Sequence, residues 1–425
     1  MFENTSTTYY KSPSVMVSVK TATSVIDKIQ QIEQALFADY QTEVAAGKAQ
    51  VSLMNGVSGL ALFYYELYDY SQDEQYQQKA LDVINHVLQQ LQEHVGSFAY
   101  CDGLAGPAYL FNYLRQKGFL GSSIDNLLLD ADHVLIAMMQ RLLKQANLDF
   151  LHGALGMGHY LLARLALAPE RAELIEACEA LVDGIAQQVE TGLAYNEFVP
   201  GYTDEEARYV NCGMAHGVVA NLMLLVKYLP LAPQPERVRA VLQATQQLLR
   251  RYRSADDTTL SAYPSIVMIK EYGIETYYGI PLGWCYGDTT VSLGLYHVGQ
   301  ALGDDALVAE AQALAERATR RATPATALTY DAGFCHGSSS VAHTYRKWLQ
   351  YSGDESFRYH YQAWIAQTLA LGHHPGGPGG YLKFAGEGHE LKYGLLDGAI
   401  GVALVLLDSL RPEAPSDWDQ FFLLS

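Results

Sequence analysis

The sequence predicts an all-α fold, an α/α toroid of seven helical hairpins with an inner and an outer ring of helices. Three observations predict it. A short glycine motif recurs seven times along the chain. Each motif is followed by roughly a dozen residues that are apolar nearly all round, as a helix buried on every side requires. Between the motifs lie segments with apolar residues three and four apart among Gln, Glu and Arg, the pattern of a helix half in water.

In chain order the motifs are NGVSGLALFYYEL from Asn55, DGLAGPAYLFNYL from Asp102, HGALGMGHYLLARLAL from His152, HGVVANLMLLVKYL from His216, YGDTTVSLGLYHVGQAL from Tyr286, HGSSSVAHTYRKWL from His336 and DGAIGVALVLLDSL from Asp397. Their first glycines, Gly56, Gly103, Gly153, Gly217, Gly287, Gly337 and Gly398, stand 47, 50, 64, 70, 50 and 61 residues apart, so each gap holds a pair of helices. Outer helices are expected in stretches such as Asp73–Leu91, Arg171–Val189 and Arg237–Tyr252. Each hairpin buries its apolar face on its neighbours and the ring closes on itself, which predicts one domain over residues 1–425. The longer gaps leave chain for the loops Thr191–Asn211, Ser254–Trp284 and His373–Phe384, candidates for a substrate-facing surface. Glycine at each motif is expected to permit a tight turn into the inner helix and to let neighbouring helix starts crowd together near the axis.

Composition narrows the function. In 425 residues, 49% hydrophobic content against 17% charged excludes disorder as the main state. With 28 basic and 46 acidic residues the formal charge is −18, so no broad cationic surface exists to bind nucleic acid. The start MFENTSTTYYKSPSV has no positive flank before an apolar run, and the apolar window Ala399–Leu407 is far too short to cross a bilayer. These readings predict a soluble, cytoplasmic protein with no transmembrane segment. Five cysteines, Cys101, Cys178, Cys212, Cys285 and Cys335, are too few and odd in number for a disulfide framework, which fits a reducing compartment.

If every inner helix starts on the same face of the toroid, the residues just before the glycines share one rim. Asp149, His216, Cys285, Cys335 and His336 then become neighbours. Two thiolates and one imidazole from adjacent repeats, Cys285, Cys335 and His336, form a Cys₂His set of the kind that holds one catalytic zinc ion with the fourth position open. The alternative is a pair of buried thiols beside a hydrogen-bonded histidine. Cys101, Cys178 and Cys212 read as small core residues, with Cys212 close in sequence to His216.

The strings GWCYGD, FCHG and NCGMAHG, the closing LLDGAIGVALVLL and the C-terminal DWDQFFLLS resemble the lanthionine synthetase C-like family, and the seven-fold glycine pattern extends the resemblance over essentially the whole chain. The resemblance implies an α/α toroid, a catalytic zinc on Cys285, Cys335 and His336, an acid/base histidine at His216 in AHG and a catalytic aspartate at Asp149 in Asp-x-x-x-Gly. Where motifs of the family often carry a second glycine, this chain has Ala220, Thr290 and Ser340. No basic residue occurs in Tyr277–Trp284, where some members carry an Arg, so the enolate-stabilising group stays unassigned.

The implied chemistry is addition of a peptide thiolate to the β-carbon of dehydroalanine or dehydrobutyrine, closing a lanthionine or methyllanthionine ring. His216 is expected to transfer the proton and Asp149 to orient it, against the plainer readings of a core histidine and a helix N-cap. Trp284 and Tyr286 flank the first ligand. His343, His159 and the pair His373-His374 read as outside the site. The expected partners are a dehydrated precursor peptide and a separate dehydratase. Three alternatives stay open: addition of glutathione or another small thiol to dehydrated residues, a non-catalytic zinc-stabilised scaffold for peptides, and a carbohydrate-active toroid built on Asp149 and Asp288.

Overall fold

Apolar runs that are buried on all sides form one set of helices and amphipathic segments form another, alternating along the chain. In this computed structural model, residues 19–192 and 208–425 are described. The N-terminal stretch read above for export, and most of the loop Thr191–Asn211, lie outside the described residues. A long helix α1 (Val19–Ala45) comes first. Inner and outer helices then follow in pairs: α2 (Val57–Ser71) and α3 (Glu74–Glu93), α4 (Ala105–Gln116) and α5 (Asp125–Lys144), α6 (Ala154–Leu167) and α7 (Ala172–Thr191), α8 (Val218–Tyr228) and α9 (Pro235–Arg250), α10 (Asp288–Leu302) and α11 (Asp305–Ala318). After a single turn α12 (Pro324–Ala327) come α13 (Ser338–Ser352) and α14 (Glu355–Leu371), and the last inner helix is α15 (Ala399–Ser409). Each inner helix touches the next, and α15 touches α2, so the inner ring closes. The partner of α15 is α1, which packs on it across the seam and completes the outer ring. The fold is the expected α/α toroid.

Burial follows the pattern in the sequence. Every residue of α15 is buried, whereas α3 buries only Ala80, Val83, Ile84 and Val87. Among the described residues no helix is long and apolar enough to cross a membrane.

The two roles expected of the first glycine are divided between two glycines. A Cβ on Gly217 would lie 2.1 Å from the Asn211 carbonyl oxygen, in its own preceding loop, so the first glycine closes that loop on itself. The second glycine is the one that meets the neighbouring repeat: a Cβ on Gly156 would come within 2.5 Å of Tyr100 Cβ. Ala220, Thr290 and Ser340 occupy that place in repeats four to six, all buried.

A ring of backbone hydrogen bonds joins the loops at the residue two before each glycine. Met54 N–H donates to Cys101 O (3.2 Å), Cys101 N–H to Leu151 O (2.9 Å), Cys285 N–H to Cys335 O (3.0 Å), Cys335 N–H to Leu396 O (2.9 Å) and Leu396 N–H back to Met54 O (3.1 Å). Repeat four joins repeat five through Met214 N–H and the Cys285 carbonyl at 2.9 Å.

Two of the predicted loops contain strands. β1 (Arg208–Asn211), β2 (Ile266–Lys270) and β3 (Gly273–Thr276) form an antiparallel sheet with Tyr209 opposite Met268 and Ile269 opposite Ile274. β4 (Lys383–Phe384) pairs with β5 (His389–Glu390) in a short hairpin.

The C-terminal segment fills the ring. Trp418, Asp419, Phe421, Phe422, Leu423 and Leu424 are buried, and groups from five repeats converge on this segment. Tyr100 Oη–H donates to Phe421 O (2.9 Å), His159 Nε2 bonds Gln420 O (2.9 Å), Trp284 Nε1–H donates to Phe422 O (2.8 Å) and Tyr351 Oη–H donates to Leu424 O (3.2 Å). Lys227 Nζ bonds Ser425 O. Burial pushes the Asp419 carboxyl up, but Lys347 and His343 outweigh it and hold it below the usual carboxylate range. Phe422 packs edge-on against Trp284 and Trp418 and at a tilt on Phe334. Phe422→Ala is therefore expected to cost about 3–5 kcal/mol in denaturant unfolding. Tyr272→Ala, at a side chain that is 93% exposed, should stay within about 0.5 kcal/mol. Equal losses from the two would show that the tail does not fill the core.

Candidate metal centre

Cys285 sits two residues before Gly287, and Cys335 and His336 precede Gly337 in the adjacent repeat. The N–H groups of Trp284 and Cys285 both donate to the Cys335 carbonyl, at 2.9 and 3.0 Å, which fixes the two loops side by side. Gly287 has φ +95°, a conformation that glycine adopts without strain. Gly283 is needed for a second reason: a Cβ there would lie 2.6 Å from His336 Cα. The sequence reading passed over Gly283, whose signal is the glycine of GWC.

One sulfur of each cysteine and one ring nitrogen of His336 lie within 4.8 Å of one another, and Cys285 Sγ is 3.9 Å from His336 Nδ1. Zinc bonds of about 2.3 Å to sulfur and about 2.1 Å to nitrogen place tetrahedral donors roughly 3.6–3.8 Å apart. The spacing therefore fits a zinc ion with small movements. The chemistry of the set fits as well. Its hydrogen bond with Cys285, reinforced by burial, pushes the Cys335 thiol well above its ordinary value. Cys335 in turn raises His336 to about 9. The Cys335 thiol and the His336 imidazole, crowded this way, hold their protons tightly, and a divalent ion would supply the compensating charge.

His216 stands beside this group, in the loop whose Met214 N–H is bonded to Cys285 O. Its Nδ1 lies 2.6 Å from Asp149 Oδ2, in a pair that is nearly fully buried. Asp149 is not the N-cap of α6; Gly153 holds that position and the Asp149 Oδ1 accepts the His152 N–H at 2.7 Å. This pair joins repeats three and four, where the other repeats are joined through backbone bonds. The five predicted site residues thus share one rim.

Other residues fall outside. Cys178 is core in α7, and Cys212 is buried, its N–H bonded to Ser265 O. Burial pushes both thiols up to about 12. Cys101 is also buried, yet it occupies the rim position equivalent to Cys285 and Cys335, and its sulfur accepts from Asn55 Nδ2 at 3.6 Å. The Trp284 ring turns away toward the tail, while Tyr286 stays at the rim with its hydroxyl accepting from Asn211 Nδ2 at 2.9 Å. His343 is a core residue bonded to Asp419, and burial depresses His159 to about 3. His373 and His374 stack with His389 on the β4–β5 hairpin. Asp288 is buried against the N–H groups of Ala262 and Tyr263 and Arg317, so it offers no carboxylate to a cavity. His152, missed in the sequence, lies parallel to the His216 ring with centroids 6.2 Å apart. Its signal was the HG pair that His216 and His336 also carry.

Stoichiometric zinc by elemental analysis is expected in the wild type and in Cys212→Ala, and its loss in Cys285→Ala. Zinc retained in full by Cys285→Ala would remove this donor set.

A family model described as "Lanthionine synthetase C-like protein" matches residues 47–423. Among solved structures, nisin cyclase superposes with a TM-score of 0.72 at 18% identity, covering 93% of this chain and 97% of that one. An unsaturated glucuronyl hydrolase from Bacillus sp. GL1 matches at a TM-score of 0.42 and 13% identity, over 75% of this chain and 90% of that one, too distant to carry an argument. No curated protein sequence matches.

Proposed function

The chain belongs to the lanthionine synthetase C-like family, and from that premise we propose that it is a zinc-dependent lanthipeptide cyclase. Its reaction would be addition of peptide cysteine thiolates to dehydroalanine or dehydrobutyrine. The observation that supports this reading best is the convergence of Cys285, Cys335 and His336 beside a buried Asp149–His216 pair. We read residues 1–425 as one cyclase domain, cytoplasmic, acting on a peptide that a separate dehydratase has dehydrated.

Cys285, Cys335 and His336 would hold the zinc, whose chemistry when bound is to favour the thiolate form of a coordinated thiol at neutral pH. A set of three protein donors is the number found where zinc serves catalysis. His216 has Nδ1 committed to Asp149, so proton transfer falls to Nε2. Asp149 fixes the ring orientation and stabilises the imidazolium that forms when His216 takes the thiol proton. The thiolate sulfur bonds to the β-carbon, the C=C π pair moves toward the carbonyl oxygen, and His216 returns a proton to the α-carbon. Atoms balance without a co-reactant, because ring closure is an isomerisation.

Ring closure does not change mass, so the assay is the loss of alkylatable thiol from a dehydrated peptide. His216→Ala is expected to keep its zinc and to lose at least about 100-fold in rate. A zinc-loaded His216→Ala enzyme that closes rings at the wild-type rate would remove the acid/base role. Wild-type enzyme that closes no ring in a peptide, yet adds glutathione to it, would favour the small-thiol reading.

A further inference from the structure

The enolate formed during addition carries its charge on a carbonyl oxygen, and a site that stabilises this charge places a donor there in advance. The stretch Tyr277–Trp284 holds no basic residue. The rim supplies a cation from elsewhere. In repeat seven Asp397 precedes Gly398, the place that His336 holds in repeat six and His216 in repeat four. Its Oδ2 accepts from Lys383 Nζ at 2.7 Å.

Lys383 opens β4, which is bonded to the repeat-six loop through Asp331 and to the repeat-seven loop through Asp397. Phe384 N–H donates to Asp331 Oδ2 at 2.9 Å, while Asp331 Oδ1 accepts the Gly333 N–H at 2.9 Å and the Asp331 carbonyl accepts Ser338 N–H at 3.0 Å. Asp331 therefore shapes the loop that carries Cys335 and His336. On the other side Cys335 N–H donates to Leu396 O, next to Asp397, at 2.9 Å. Burial lowers the Lys383 ammonium, but Asp397 outweighs it, with Cys335 and Asp331 acting in the same direction, so it stays a cation. Of its three N–H donors, one is used by Asp397, and the other two have no partner among the described residues.

We propose that Lys383 is the enolate-stabilising cation of this enzyme, held by Asp397 on the opposite side of the metal set from the Asp149–His216 pair. The inference rests on the cyclase reading. As sulfur bonds to the β-carbon and the π pair moves to the carbonyl oxygen, an Nζ–H of Lys383 donates to that oxygen. His216 then protonates the α-carbon, the charge returns to neutral, and Lys383 keeps its own proton throughout.

The test compares wild type, Lys383→Met and Lys383→Arg with a dehydrated peptide, reading kcat and KM for ring closure and zinc content by elemental analysis. Binding of the same peptide before dehydration, by calorimetry, is read alongside. Lys383→Met is expected to lose about 100-fold in kcat with KM, zinc content and peptide affinity unchanged, and Lys383→Arg to recover most of that loss. Wild-type kcat in Lys383→Met would overturn the proposal. So would a rate that falls only in step with zinc content or peptide affinity, since that is the signature of a strut for the hairpin. A wild-type enzyme that closes no ring would take down the cyclase reading and this role together. Wild-type kcat in Lys383→Met beside an active wild type would take down this role alone.

Discussion

The structure depends on the ring of loop-to-loop hydrogen bonds at the residue two before each motif glycine. A helical hairpin of this kind cannot hold a side chain in register with another fifty positions away; seven loops bonded edge to edge can. At every junction but that between repeats three and four, an N–H of one loop finds a carbonyl in the next, which satisfies these backbone groups and fixes the bonded loops in height relative to one another. The side chains at the two positions before the glycine then point into a common rim. Cys285 and Cys335 meet because their backbones are bonded to each other, and His336 follows as the next residue. Between repeats three and four the Asp149–His216 contact takes the place of the backbone link. The element read as chemical is therefore also a structural one at that point.

This register explains what the sequence could reveal. The glycine spacing was legible because the constraint is local: a Cβ at Gly56 would lie 2.2 Å from Gln50 O in its own loop, so the residue is required wherever the loop recurs. Once the toroid is granted, the metal set and Asp149–His216 follow from position alone. The reason given for the glycines was wrong in part, since contact between repeats falls on the second glycine, as at Gly106 and Gly156. Cys101 was read as core and is buried, although its place two before Gly103 is the one that Cys285 and Cys335 hold before their glycines. β2 was missed because Ile266, Val267, Met268 and Ile269 were taken with the tyrosines and glycines around them as loop. Lys383 was beyond reach: it lies in an insertion with no repeat to register it, and only Asp331 and Asp397, from two different loops, decide where it goes.

A closed ring of seven helices leaves an axis that its own inner side chains do not fill, and the C-terminal segment fills it. The packing is aromatic, through Trp418, Phe421 and Phe422, but its polar half is equally specific. Asp419 lies between His343 Nε2 and Lys347 Nζ, and Asp408 gathers Arg346, Ser416 and Trp418. These charges are buried and paired, so removing one partner would strand the other at a cost of several kcal/mol. The tail also reaches the rim. Phe422 O accepts from Trp284 Nε1, and Trp284 immediately precedes the first cysteine of the metal set. The floor of the site and its first donor are thus one packed unit, which is what a constellation needs to keep its geometry while substrate changes.

Charge links the parts of the rim. In the proposed reaction two thiolates would balance a divalent ion, a third thiolate from a peptide would leave the site one unit negative, and addition would carry that unit from sulfur to a carbonyl oxygen. A site that serves this reaction needs positive groups on both sides of the moving charge, and they must not collapse onto the thiolates before substrate arrives. The two carboxylates provide for this. Asp149 holds His216 on the side of repeat four, and Asp397 holds Lys383 on the side of repeat seven, each by a bond of 2.6 or 2.7 Å. Each basic group is bonded to its own acid, which keeps its remaining donors in place. The arrangement is asymmetric around the ring: repeats one and two place Asn55 and Asp102 before their glycines and carry no basic group there, and the one sulfur on that side, Cys101, is buried against Asn55. The proposed site residues all lie on the arc from repeat three to repeat seven, where the long insertions between the hairpins also lie.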